Sequence, residues 1–153
     1  MVMMLIYANN ANDMQINSNK KYSSLELIYP ELSYRVNGIL FWAHNELGRY
    51  AKEKQYGNFI ETKLKQENIK YKREYIISDT GNTIDFMIEN KIVLELKNTR
   101  IITKHDYFQI QRYLQTTGLK LGIIVNFRSQ FLRPKRIIKT NKAFHHKYLN
   151  DTD

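Results

Sequence analysis

Apolar residues recur along this chain with two different periods. Between Pro30 and Gly48, the residues Val36, Ile39, Leu40, Ala43 and Leu47 follow the spacing of one helix face, and Gly48 offers a stop. Tyr56, Phe59, Ile60 and Leu64 form a second such stripe and predict a helix within Tyr50–Asn68, with Gly57 as a mild cost. The pattern changes at Lys70. Lys70–Ser78 reads as a strand, and Asp79, Thr80, Gly81 and Asn82 after it make a strong turn signal. Thr83–Ile88 and Ile92–Lys97 read as two more strands. Thr103 as N-cap, Asp106 in the first turn and Gly118 as stop bracket a third helix. Lys120–Phe127 is a continuous apolar run, typical of a buried central strand. Pro134–Lys139 is a weaker strand with its proline at the start. The order α-α-β-β-β-α-β-β predicts an α/β or α+β domain, a mixed central sheet flanked by helices.

Alternation also sets a register. Ile84, Phe86 and Ile88 share one face of their strand, and Ile92, Leu94 and Leu96 share one face of the next. Both triplets stay buried only if Ile88 pairs with Ile92, Phe86 with Leu94 and Ile84 with Leu96. That requires a three-residue loop, Glu89-Asn90-Lys91, or a bulge. It also sets Asp85 directly opposite Glu95, with Cβ atoms roughly 4.5–5.5 Å apart. Like charges held face to face are destabilising. A divalent cation between the carboxylates would offset the repulsion, since Mg²⁺ is commonly held by one or two carboxylates with waters and phosphate. Lys97 lies on the Glu95 face and could orient a water or stabilise charge on a phosphate. Equally, Lys97 could only neutralise the pair as a salt bridge, and a lone Glu-x-Lys is a weak signal.

Composition narrows the class. The length of 153 residues suits one domain with a real core, and 42% hydrophobic with 25% charged residues is ordinary for a globular protein. The absence of cysteine excludes a disulfide scaffold and a cysteine-based zinc site, and it fits a reducing cytoplasmic setting. A net charge of +9 favours an anionic partner such as nucleic acid or a membrane surface, although solubility alone is the plainer account. The opening apolar stretch Met1–Tyr7 is too short to span a bilayer and lacks the basic flank of a signal peptide. Met14 is an alternative start. Residues 1–24 are expected to be poorly ordered, with a domain over 25–140 and a basic tail over 141–153.

The chemistry-bearing residues resemble those of a known family. An Asp on one strand, Glu-x-Lys on the next, then a helix and a buried strand resemble the PD-(D/E)xK nuclease superfamily. Leu47–Tyr56 is similar to the Leu-Gly-Pro-Gly-Phe-Leu-Glu-x-x-Tyr helix start of its GxxExxY branch, with Glu53 and Tyr56 at the motif positions. Gln109–Phe127 resembles that branch's Gln-x-x-x-Tyr helix, Thr-Gly-Leu turn and Asn-Phe strand, and Pro134–Ile138 its final strand. The likeness covers about Leu32 to Lys139. Two positions depart from it: Tyr50 replaces the second glycine of the name motif, and Ile84 replaces the proline before Asp85. The resemblance implies a restriction-endonuclease-like core and Mg²⁺-dependent hydrolysis of phosphodiester bonds by an activated water, with Mn²⁺ as a substitute ion. It implies that Glu53 approaches the metal held by Asp85 and Glu95, that Lys97 assists the attacking water, and that Gln109 lies near the site.

Other residues have plainer readings. Tyr56 and Tyr113 suit packing, His44 suits capping or packing near a helix end, His105 reads as exposed, and His145-His146 make a poor selective metal site. Arg128, Arg133, Lys135, Arg136 and Lys139 belong to a stretch, continuing to Lys147, with no Asp or Glu. Phosphate contact is one use for them and solvation the other. The first reading is thus a small nuclease acting on nucleic acid, DNA before RNA, with a homodimer as one possible assembly. The rivals are a non-catalytic nucleic-acid-binding module on the same fold and a structural or regulatory protein.

Overall fold

The computed structural model describes residues 27–78 and 81–140. The predicted N-terminal segment, the tail with its lysines and His145-His146, and two residues of the predicted 79–82 turn lie outside them. The two helical stripes become α1 (Pro30–Leu47) and α2 (Glu53–Gln66). The strands are β1 (Tyr71–Ile76), β2 (Thr83–Ile88), β3 (Ile92–Lys97), β4 (Leu121–Asn126) and β5 (Lys135–Ile138). Between β3 and β4 runs α3 (Lys104–Thr117), capped by Thr103 as its sequence predicts. Every predicted element forms, with ends trimmed by a residue or two, except that α2 starts at Glu53 rather than near Tyr50. The Gln55 carboxamide accepts the Lys52 N–H at 2.8 Å and fixes that start.

The sheet follows chain order, β1-β2-β3-β4-β5. Only β3 and β4 run parallel, because α3 carries the chain back between them. The other neighbours are antiparallel, so the sheet is mixed. One core lies between α1, α2 and the sheet, built on Leu40, Tyr56, Ile60, Phe86, Leu94 and Ile123. The second lies under α3, built on Ile110, Tyr113, Leu114, Met87, Val93 and Ile124. Both faces of β3 and β4 are therefore covered, which accounts for the unbroken apolar run of β4. A side chain at Gly122 would put its Cβ 2.5 Å from Ile110 Cγ2. The bare glycine lets α3 sit close on the sheet.

The expected register is correct for Phe86 with Leu94 and Ile88 with Ile92, joined through the three-residue loop. Glu89 and Asn90 take φ values of 51° and 50° to close that loop. The expectation for Ile84 is overturned. Ile84 packs in the α3 core, whereas Phe86, two residues on, packs in the α1–α2 core. The exchange of faces coincides with an irregularity in the neighbouring strand. Glu74 has a φ of 50°, and the β1–β2 pairing skips it, resuming with Tyr75 opposite Ile84. Tyr71 accordingly leans on one core and Tyr75 on the other. Asp85 stands opposite Glu74, at the point where the faces exchange.

Candidate active site

The β2–β3 ladder stops at the pair Phe86–Leu94. Beyond it, side chains take the backbone groups that a regular ladder would have paired. Asp85 Oδ2 accepts the Leu96 N–H at 2.7 Å, and Glu95 Oε1 accepts the Asp85 N–H at 3.2 Å. The predicted juxtaposition of Asp85 and Glu95 is present, but as two carboxyls inserted between parting strands rather than as a regular ladder pair. Glu95 is only 4% exposed. Burial pushes its carboxyl up to about 8, and the neighbouring Asp85 charge adds to the rise. Burial likewise raises Asp85, against the opposing Leu96 hydrogen bond. With both carboxyls raised, the pair resists carrying two charges at once.

Glu53 reaches the pair from the first turn of α2. Its Oε1 accepts the Asn98 N–H at 2.9 Å, and its charge contributes to the rise at Asp85. Lys97 draws both pair carboxyls back toward the charged form. Its Nζ lies 3.5 Å from Asp106 Oδ1, with both side chains about four-fifths covered. Burial alone would raise Asp106; hydrogen bonds from the Thr103 N–H and hydroxyl, together with Lys97, outweigh it and hold the carboxyl below its ordinary range. Sequence reasoning placed Asp106 only as the first-turn acid of a helix. Its contact with Lys97 depends on the loop that brings α3 back to the end of β3.

On the α3 side, the Tyr113 hydroxyl donates to the Thr83 carbonyl at 3.2 Å and accepts from Gln109 Nε2 at 2.6 Å. Burial raises this phenol, and the Glu95 charge raises it further, so the hydroxyl stands in the field of the pair. Gln109 thus bonds Tyr113, which is buried as expected, rather than any of the carboxylates. Tyr56 is fully buried, stacks on Phe127 with centroids 4.0 Å apart, and donates to the Gly48 carbonyl. It braces the turn leading to Glu53. His44 Nε2 is 2.9 Å from the Ser129 carbonyl oxygen, a packing role. His105 is exposed.

A polar network missed by sequence reasoning ties this end of the sheet together. Asn98 gives its side-chain N–H to the Ala51 carbonyl and accepts from Arg128 Nε at 2.9 Å. Asn126, buried at the end of β4, accepts the Thr99 and Arg128 N–H groups and donates to the Thr99 carbonyl at 2.8 Å. A buried Asn closing an apolar strand was the available signal. The basic residues do not converge on one face. Lys135 pairs with Ile124 and Arg136 with Ile123, so they project toward opposite cores. Arg136 donates to the Ile28 carbonyl at 2.6 Å, and Arg133 is exposed. Arg128 alone adjoins the carboxylate site.

The oxygen donors of Asp85 and Glu95 suit a hard divalent cation, which needs one or two carboxylates when water fills the other positions. Among the described residues, no three His, Cys, Asp or Glu side chains converge on one ion position. The fitting donor set is the pair; Glu53 stands beside it, held by Asn98, rather than completing a triad. Among the described residues no helix is long and apolar enough to cross a membrane. No curated protein and no solved structure matches the chain. A family model, that of the PD-(D/E)XK nuclease superfamily, matches residues 30–139. That span holds every element from α1 to β5 together with Glu53, Asp85, Glu95, Lys97 and Gln109, and the chain belongs to the PD-(D/E)XK nuclease superfamily.

Proposed function

We propose that this chain is a Mg²⁺-dependent nuclease of the GxxExxY branch that hydrolyses phosphodiester bonds, in DNA before RNA, with Mn²⁺ as a substitute ion. One observation carries the reading: Asp85 and the buried Glu95 meet where the β2–β3 ladder opens, each accepting a backbone N–H from the other's strand, with Lys97 two residues on along β3. Two carboxyls so close are held with a proton or a cation between them, and a phosphate-cleaving site needs the cation. Asp85 and Glu95 would hold the ion, with Glu53 beside them. When bound, the ion lowers the pKa of water and offsets charge on the scissile phosphate. Lys97 orients the attacking water and stabilises charge developing on the phosphate oxygens. Water adds to phosphorus, one P–O bond breaks, and the leaving oxygen gains a proton. No covalent nucleophile is required. The absence of cysteine supports a cytoplasmic setting.

The test is a cleavage panel of plasmid, oligonucleotide and RNA with Mg²⁺, Mn²⁺, Ca²⁺ or chelator. Cutting is expected with Mg²⁺ or Mn²⁺ and none with chelator. Lys97→Ala is expected to slow it about 10²-fold or more while circular dichroism stays unchanged. Intact substrates under every metal would sink the reading. That result would favour the non-catalytic nucleic-acid-binding module on the same fold.

Asp106 acts through Lys97 as a positioning residue. Asp106→Asn keeps an acceptor for Thr103 and removes the charge facing Lys97 Nζ. Cleavage is expected to fall about tenfold. In a Lys97→Ala background the same change should have almost no further effect, because its only route to the substrate is gone. Additive losses in this double-mutant cycle would assign Asp106 to helix capping alone.

A further inference from the structure

Tyr50 is the most exposed large hydrophobic side chain among the described residues, at 73%. It lies in the turn between α1 and α2, three residues before Glu53, where the resembled motif has a glycine. Two guanidiniums flank its ring. The Arg49 Cζ is 5.4 Å from the ring centroid and the Arg128 Cζ is 5.2 Å away. Both arginines are half-buried and anchored. Arg49 Nε donates to the Arg128 carbonyl at 2.9 Å, and Arg128 Nε donates to Asn98 Oδ1 at 2.9 Å. Asn98 is the residue after Lys97, and its N–H is held by Glu53. The aromatic-and-cation group is thus fastened to the backbone of the carboxylate site itself.

Such an arrangement has little structural purpose. An exposed ring contributes no core, and two cations around one ring repel each other unless an anion joins them. An aromatic π-face with fixed guanidiniums matches a nucleotide, whose base stacks and whose phosphate is neutralised. We propose that Tyr50, Arg49 and Arg128 form a nucleotide-docking platform beside the carboxylate pair, selecting single-stranded nucleic acid. Bases in an intact duplex have their faces covered by neighbours, so only an unpaired base can stack there. This rests on the nuclease reading for the fate of the bound strand; the docking itself does not depend on cleavage.

The test measures binding by fluorescence anisotropy, with a labelled single-stranded oligonucleotide and the matching duplex. The Glu95→Gln chain in Ca²⁺ serves as the parent, so that neither probe is cut. Adding Tyr50→Ala is expected to weaken single-strand binding about tenfold, with duplex affinity changed less than about twofold. Tyr50→Phe, which keeps the ring, should bind like the parent. Arg49→Gln should reduce the log–log salt slope by about one. Equal loss on both probes, no loss with Tyr50→Ala, or a parent that binds neither probe overturns the platform. Tyr50-dependent binding in a chain that cuts nothing under any metal leaves the platform standing and removes the nuclease reading. Cleavage with single-strand affinity indifferent to Tyr50→Ala does the reverse.

Discussion

Glu95→Gln is expected to lower nucleic-acid cleavage by about 10³-fold or more while leaving the chain folded, and at pH 8 more stable without metal. Glutamine has the shape of the protonated glutamic acid. Its amide oxygen can accept the Asp85 N–H, as Glu95 Oε1 does, and its NH₂ can donate to the Asp85 carboxylate. The substitution therefore keeps the arrangement of the metal-free pair and removes the repulsion that appears when both carboxyls ionise. It also removes the charge that a divalent cation requires. Loss of activity with a gain in thermal midpoint is a signature that simple misfolding does not produce. Parent-like cleavage by Glu95→Gln would show that the pair is not the reacting centre.

The second large effect is a metal response that depends on pH. In the folded chain Glu95 is raised to about 8 from an ordinary 4.5, first by burial and then by Asp85. Unfolded, it titrates near 4.5. Below that value both states hold the proton, and the folded chain keeps its full stability from this group. As pH climbs toward 8 the unfolded state releases the proton that the folded state retains, so unfolding is favoured. Asp85, raised mainly by burial, acts in the same direction. At about 1.4 kcal/mol per pH unit of separation, the metal-free chain should lose a few kcal/mol across this window. A divalent cation bound to the ionised pair would reverse the loss. Thermal melts from pH 5 to pH 8.5 should therefore show a Mg²⁺ shift that is small at the acid end and largest at the alkaline end. A Mg²⁺ shift that is flat across this range, or one that survives in Glu95→Gln, would place the ion elsewhere.

Both expectations depend on a local departure from regular structure that residue types do not announce. The alternation of Phe86, Ile88, Ile92 and Leu94 was readable because period-two burial leaves one register that hides all four. Ile84 was misread by the same logic. The faces exchange where the β1–β2 pairing skips Glu74, which takes a positive φ at a residue type with no preference for that conformation. The break has a consequence for the site. With regular pairing ended, Asp85 captures the Leu96 N–H, and the carboxyls meet between the strands.

The sequence by itself determined the element order, the two helical stripes and the hairpin register near its loop, and it offered Glu53, Asp85, Glu95, Lys97 and Gln109 as candidate site residues, Glu53 and Gln109 only through the family resemblance. Those follow from short-range periodicity and from motif spacing, which depend on a few residues at a time. Only the tertiary structure decided that Asp106 faces Lys97, that the Tyr113 hydroxyl meets the Thr83 carbonyl, and that Arg128 joins Arg49 and Tyr50 beside Asn98. These contacts join segments far apart in the chain or separated by a turn. Their meeting follows from the parallel register of β3 and β4, which sets Lys97 beside Asn126, and from the close seat of α3 over Gly122.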